Sequence, residues 1–187
     1  MHYIAPIENV PSICKSGIVS HTLAEKYSHR SVAMAKIQER RAAVVIPGGR
    51  KLHEYVNLYV TARNPMLFKL KDSHDSLCVL RISTDVLDIP NTVIADKNAS
   101  SDYVAFWPSP AGLKAINRDL VFAEYWTDPD PIEKYRKGSA KCAEVLVPDK
   151  VPPKYILGAY VSNANSEAEL KKSLGAGATK NPHLFFR

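Results

Sequence analysis

The apolar positions of this chain fall mostly into short runs, separated by clusters of Gly, Pro, Asn, Asp and Ser. Residues 2 to 5 have the composition of a short strand. So do Tyr55 to Val60, Leu77 to Ile82, Tyr103 to Trp107, Val121 to Glu124, Cys142 to Val147 and Tyr155 to Val161. Helical signals are fewer. Asn9 predicts an N-cap, Pro11 a first turn and Gly17 a C-terminal stop. Ser31 to about Ala42 reads as a second helix, in which Met34, Ile37 and Arg41 share a face while Lys36 and Arg40 share another. Pro47-Gly48-Gly49 predicts a turn, and Ser166 with Glu169 a capping box for a last helix that ends near Gly175. The tail from His183 to Arg187 is too apolar for a free end and is expected to pack back on the core. Many short strands with few helices predict an α+β fold built on largely antiparallel sheets.

Composition narrows this picture. With 187 residues, 45% hydrophobic and 24% charged, the chain can bury one core of useful size, so a single domain over residues 1 to 187 is expected. No apolar run approaches the roughly 18 to 20 residues of a membrane span, and the N-terminus lacks the layout of a secretory signal. A soluble, cytoplasmic protein without a membrane partner is the expectation. Cys14, Cys78 and Cys142 are odd in number and far apart, which predicts buried free thiols and no metal site.

The net charge of +6 is local. Lys26, Arg30, Lys36, Arg40, Arg41, Arg50 and Lys51 face one acidic residue, Glu39, between positions 26 and 51, and the remaining basic and acidic residues balance. Such a window suits a polyanion or a phosphate-bearing ligand, although a solvated helix face has the same composition.

Several mechanisms lack their signatures. There is no GxxxxGK[ST] phosphate loop, no GxGxxG after a strand, no GxSxG elbow and no HExxH. What remains is arginines, aromatic residues and one conspicuous carboxylate, Glu144, in the apolar run Ala-Glu-Val-Leu-Val. Either it faces water from an edge strand, or it sits in a site that uses its charge. A carboxylate among arginines suits reactions that pass through a sugar cation.

Ordered segments make the second reading specific. Ile7 to Ile13, Ile37 to Arg41, Pro47 to Gly49 with Leu52 to Val56, Ala62 to Leu67, Asp96 to Ala99 and Ala143 to Val147 follow one another in an arrangement that resembles the DarT family, the DNA ADP-ribosyltransferase toxins of bacterial toxin-antitoxin pairs. The resemblance covers roughly residues 2 to 161. It implies an ADP-ribosyltransferase fold, with split, curved antiparallel β-sheets, short flanking helices and NAD in the cleft between the sheets. It also implies transfer of ADP-ribose from NAD to a guanine or thymine of single-stranded DNA, and a macrodomain antitoxin that reverses the mark.

By the same resemblance Glu144 and Arg41 are catalytic, with Arg40 a rival to Arg41. NAD is expected to meet His2, Tyr3, Asn9, Arg40, Arg41 and Tyr55. His53 shares a strand face with Tyr55 in this reading. The family's His-x-Thr grip on nicotinamide is not conserved in register: its His falls on Tyr3 and its Thr on Ala5, which leaves His2 on the opposite face and tilts the expectation towards guanine. Arg63 and Met66 flank a turn placed near the DNA. Trp126, Tyr135, Arg136 and Lys137, in a loop expected from Tyr125 to Lys141, combine stacking surfaces with positive charge for DNA. RNA or protein as acceptor, and a catalytically silent nucleic-acid-binding module, are the alternative readings.

Overall fold

The computed structural model describes residues 1–186. Its strands are β1 (His2–Pro6), β2 (Ile18–Val19), β3 (Tyr55–Tyr59), β4 (Leu77–Ile82), β5 (Val93–Ala95), β6 (Phe106–Pro108), β7 (Glu144–Pro148), β8 (Lys150–Val151), β9 (Ile156–Val161) and β10 (Ala178–Lys180). Its helices are α1 (Val10–Ser16), α2 (His21–Ala24), α3 (Ala35–Ala43), α4 (Pro65–Lys69), α5 (Arg118–Phe122), α6 (Pro131–Lys141) and α7 (Ala164–Leu174). One eight-stranded sheet has the order β10-β9-β4-β1-β3-β7-β5-β6, antiparallel except for β10 on β9. The α+β expectation holds.

The sheet is split at its centre. β1 pairs with β4 through five positions and β3 with β7 through five, yet β1 and β3 share only His2 and Tyr59. The two halves therefore diverge from that point, and a cleft opens between them. Pleating places Val56, Leu58, Val145 and Val147 on the face that builds the main core with Cys78, Leu80 and Leu170. The opposite face carries Tyr55, Asn57 and Tyr59 on β3 and Glu144 and Leu146 on β7. Here the apolar cover comes in two separate clusters, one around Ile4, Leu67 and Phe185 and one around Ile46, Leu52 and Leu146. The polar residues lie between them.

Several expectations need correction. α3 begins at Ala35 rather than Ser31, because residues 31 to 34 form no helical turn and Met34, the N-cap, has an extended backbone. Val121 to Glu124 is not a strand: the side chain of Asn117 accepts from Leu120 N at 3.0 Å and starts α5 instead. The expected loop from Tyr125 to Lys141 is largely α6, with Asp130 as cap and Pro131 at its first turn. β6 lies three residues later than the strand read at Tyr103, which is exposed. α7 is capped by Asn163, while Ser166 lies buried inside it and donates to Asp75 O at 2.6 Å. Asn9 precedes α1 but makes no side-chain cap bond.

Other expectations hold. Gly17 adopts φ 82° at the end of α1, where a Cβ would come within 2.3 Å of Val151 O, so only glycine permits β2 to pass β8. Cys78 and Cys142 are buried free thiols, and Cys14 is free but partly exposed. Leu184, Phe185 and Phe186 pack back against the core; Arg187, the last residue of that tail, lies outside the described residues.

Candidate active site

Glu144 is fully buried at the start of β7, in register with Tyr59 on one side and Ala95 on the other. Arg41 reaches it from α3. Its Nη1 donates to Oε1 and its Nη2 to Oε2, each at 3.1 Å, and the backbone N–H of Ala99 adds a third donor to Oε1 at 3.3 Å. A planar guanidinium on a carboxylate gives a bidentate pair that a lysine cannot reproduce. Burial works to lower the Arg41 pKa, but the charge and hydrogen bonds of Glu144 outweigh it and the pKa is raised. On the adjacent strand, burial first, and then the Glu144 charge, holds the Tyr59 phenol well above its ordinary value. The Cys142 thiol is pushed up to about 12 for the same two reasons.

Two cavities meet at this pair. The first, about 210 Å³, is lined by Tyr3, Asn9, Arg41, His53, Tyr55 and Asn57, among others, and is walled by residues 27 to 33. The second, about 170 Å³, is lined by Ile37, Arg41, Tyr59, Met66, Asn98 and Cys142, among others. Tyr3, Gln38, Arg41 and Asn57 line both. Glu144 lines neither, since the guanidinium of Arg41 lies over it. The arrangement is a masked carboxylate under the junction of two chambers.

The wall of the first cavity is tied down by Asn9. Its Nδ2 donates to Arg30 O at 2.8 Å and its Oδ1 accepts from Arg30 N at 3.1 Å, as a paired strand would. His53 is not on a strand but in the turn before β3. Its ring centroid lies 4.2 Å from that of His21, with the two planes tilted by 45°, and burial followed by the His21 charge lowers its pKa.

Of the residues expected to meet NAD, Tyr3, Asn9, Arg41 and Tyr55 line the first cavity. Two do not. His2 lies at the closed end of the split, where its Nδ1 is buried without a hydrogen-bond partner and burial, mainly, lowers its pKa to about 4. Arg40 is exposed on the outer side of α3. Tyr3 and Arg41 thus line the cavity, whereas His2 and Arg40 do not.

The residues expected to meet DNA divide similarly. Met66 lines the second cavity, positioned by Asn64, whose Oδ1 accepts from Met66 N and Leu67 N. Arg63 instead serves the C-terminal tail: Nη1 donates to His183 O at 2.9 Å, and the guanidinium stacks 4.0 Å from the Phe186 ring centroid. Trp126 meets Phe68 and Phe186 edge-on. Tyr135, Arg136 and Lys137 are carried by α6, where Arg136 pairs with Glu133 and Lys137 with Asp128. Of the basic window, Arg30, Arg41 and Arg50 are paired with acids, which leaves Lys26, Lys36, Arg40 and Lys51 exposed and without an acidic partner among the described residues.

Asn57 is a cavity residue that the sequence reading passed over, although a polar residue between Tyr55 and Tyr59 on one strand face was a signal. Asn98 falls in the segment Asp96 to Ala99 that carries the family resemblance, but the sequence reading gave it no role of its own. Among the described residues no group of three or more His, Cys, Asp or Glu comes together, and no helix is long and apolar enough to cross a membrane.

Residues 2–186 match the family described as "DarT: ssDNA thymidine ADP-ribosyltransferase". A DNA ADP-ribosyl transferase–DNA ADP-ribosyl glycohydrolase fusion protein of Thermosipho africanus is 32% identical over 185 residues, which are 93% of this chain and 45% of that protein. The chain thus spans less than half of the fusion. A DNA ADP-ribosyl transferase of Mycobacterium tuberculosis is 30% identical over 177 residues, 86% of this chain and 74% of that protein. Among solved structures, Thermosipho africanus DarTG in complex with ADP-ribose matches with a TM-score of 0.84 at 28% identity, over 99% of this chain and 50% of the other. Thermus sp. 2.9 DarT, solved with ADP-ribosylated ssDNA, gives a TM-score of 0.85 over 99% and 95%; at 24% identity that likeness speaks for the fold.

Proposed function

The chain belongs to the DarT family, and from that premise we propose that it transfers ADP-ribose from NAD to a base of single-stranded DNA and releases nicotinamide. The observation that carries the proposal is the position of Glu144, a buried carboxylate held by Arg41 beneath the junction of two cavities. The family description and the ADP-ribose complex of the Thermosipho protein support the same reading. The described chain acts as one catalytic domain.

In this proposal NAD occupies the first cavity, where Tyr3 offers a flat surface, Asn9 and Asn57 offer amides and Arg41 a fixed positive charge. Cleavage of the bond between the ribose C1′ and nicotinamide sends the bonding electrons out with nicotinamide and leaves positive charge on the sugar. Glu144 stabilises that charge and orients a ribose hydroxyl. To do so it must free an oxygen from Arg41, so the guanidinium swings towards the pyrophosphate or the acceptor as substrate settles. A base nitrogen entering from the second cavity then bonds to C1′, and its proton passes to the carboxylate. The family description names thymidine, and we take thymine as the acceptor ahead of the guanine that the Tyr3 departure suggested.

The exposed Lys26, Lys36, Arg40 and Lys51 meet the phosphates of the strand. A macrodomain partner that removes the mark is proposed by analogy with the Thermosipho relative, whose name joins the transferase to a glycohydrolase. The cytoplasm, where NAD and DNA coexist, is the proposed compartment.

Incubation with NAD and short oligonucleotides that differ in one base, read by mass spectrometry, tests the reading. An adduct on thymine-containing single strands, absent with Glu144→Ala and from matched RNA, is the expected result. Absence of an adduct on every DNA strand would overturn it.

A further inference from the structure

The segment Asp96 to Ala99 leaves β5 beside the carboxylate, since Ala95 is in register with Glu144. Each of its residues is fixed. Asp96 Oδ1 accepts from Ala105 N at 2.9 Å, Lys97 Nζ donates to Tyr103 O at 2.8 Å, Asn98 N donates to Ser139 O at 2.9 Å, and Ala99 N donates to Glu144. The loop is thus clamped between α6 and the buried carboxylate.

The side chain of Asn98 is held in one sense. Its Oδ1 accepts from both Ser100 N at 2.9 Å and Ser100 Oγ at 2.7 Å, which uses the oxygen and fixes the plane of the amide. Its Nδ2 has no hydrogen-bond partner among the described residues. Asn98 also lines the second cavity, opposite surfaces that suit a flat unsaturated ring: the Tyr59 aromatic, the Met66 thioether and the Ile37 side chain. An amide with its oxygen occupied can only donate. What it can recognise is an acceptor atom.

We infer that Asn98 reads the acceptor base, with Nδ2 donating to a ring carbonyl next to the nitrogen that becomes ADP-ribosylated. The inference rests on the proposed transfer to a DNA base and adds the residue that selects and orients that base. In thymine the N3–H lies between two carbonyls. When N3 bonds to C1′, its N–H bond breaks and the proton leaves to the Glu144 carboxylate, while negative charge gathers on the flanking oxygens. A donor fixed on one of those oxygens places the ring and stabilises that charge at once. Because Ala99 is the next residue, the same rigid loop sets the distance from the base to the carboxylate.

The test uses Asn98→Asp, which keeps an oxygen for Ser100 but replaces the donor by a charged acceptor, together with Asn98→Ala, which removes the donor without adding charge. Adduct formation on the preferred oligonucleotide is expected to fall at least about tenfold in both, while NAD affinity and the urea unfolding midpoint stay close to wild type. A second arm replaces the base carbonyl, with thiothymine in place of thymine. Wild type is expected to discriminate against the poorer acceptor by about tenfold, and Asn98→Ala to treat both bases alike. Equal transfer rates in wild type and variants overturn the inference, as does an unchanged discrimination in Asn98→Ala. A parallel loss of NAD affinity and unfolding midpoint assigns Asn98 to loop support and overturns it too. Failure of the broader reading looks different, because wild type itself then gives no DNA adduct.

Discussion

Arg41 and Glu144, 103 positions apart in the sequence, meet through two parallel hydrogen bonds of 3.1 Å in a place almost closed to water. The pair does two things at once. It satisfies a buried charge that would otherwise be costly, and it covers the carboxylate to which the proposed reaction gives the ribosyl cation. Stability and activity are tied to the same atoms here, and substitutions can separate them.

Removing either partner leaves an uncompensated buried charge. Glu144→Ala and Arg41→Ala are each expected to lose about 3 to 5 kcal/mol of unfolding free energy, measured by urea denaturation at neutral pH. Transfer should fall by about 100-fold or more in both, since the charge aimed at the ribose or its positioning is gone. Replacing both residues with apolar ones, as in Arg41→Met with Glu144→Leu, should restore most of the stability and none of the activity. Restored transfer in the double variant would mean that chemistry runs elsewhere.

Stability should also depend on pH through His2. Burial holds its folded-state pKa near 4, against an ordinary value of 6.5. Between those values the unfolded chain carries the proton and the folded chain does not, so folding is increasingly opposed as pH falls from 6.5 towards 4 and the group costs nothing above 6.5. The swing is at most about 3.4 kcal/mol, at 1.36 kcal/mol per pH unit. His2→Gln should flatten the decline when urea midpoints at pH 7 and pH 4.5 are compared. An equal decline in wild type and variant would assign the acid sensitivity to other groups.

Arg63 is expected to act on the fold more than on DNA. Its Nη1 bonds to tail carbonyls and its stack on Phe186 hold residues 183 to 186 against α4 and Trp126. Arg63→Ala should lower the unfolding free energy by roughly 1 to 3 kcal/mol, and the same substitution in a chain cut before Leu184, which has already lost the buried Phe185, should add little further loss. A variant with wild-type stability and weakened oligonucleotide binding would return Arg63 to the DNA surface.

The sequence disclosed some of this and hid the rest for physical reasons. Leu77 to Ile82 and Tyr55 to Tyr59 were legible because each is a run of buried strand composition, and Glu144 stood out as a charge in such a run. The inward face of Arg41 agrees with its spacing of four from Ile37, whereas Met34 lies outside the helix as its N-cap and is exposed. Residues 131 to 141 read as loop from their aromatic and basic residues among Asp, Pro and Gly, whereas in the structure Asp130 caps a helix that Pro131 opens. Val121 to Glu124 was too short an apolar run to tell helix from strand, and the Asn117 cap decided it. The two-cavity site was out of reach, because it depends on long-range pairs such as Asn9 with Arg30 and Arg41 with Glu144, which have no local signature.

Charge should govern the encounter with DNA. Lys26, Lys36, Arg40 and Lys51 are exposed without acidic partners, so each can neutralise a phosphate. Lys36→Ala and Arg40→Ala should each reduce the slope of log affinity against log salt by ~0.7 for a single strand, with the KM for NAD unchanged. Fluorescence anisotropy over a salt series reads this directly. A slope that ignores both substitutions would move the strand off the outer side of α3.

Asn9 gives the last prediction, because two roles for it make different forecasts. In the structure its amide grips both backbone groups of Arg30, and residues 27 to 33 form a wall of the cavity assigned to NAD. As a latch, Asn9 keeps that wall closed. Each lost hydrogen bond is worth about 0.5 to 1.5 kcal/mol, so Asn9→Ala should raise the KM for NAD by roughly three- to tenfold and expose Lys26 and Arg30 to trypsin, with saturating NAD slowing the cleavage. Arg30→Ala keeps the backbone bonds and loses only the exposed ion pair with Glu8 at 3.6 Å, so its NAD kinetics should be nearly normal. If Asn9 serves NAD by direct contact alone, the KM rises while tryptic cleavage at Lys26 stays at the wild-type rate. The ratio of these two effects in one variant therefore decides between latch and ligand.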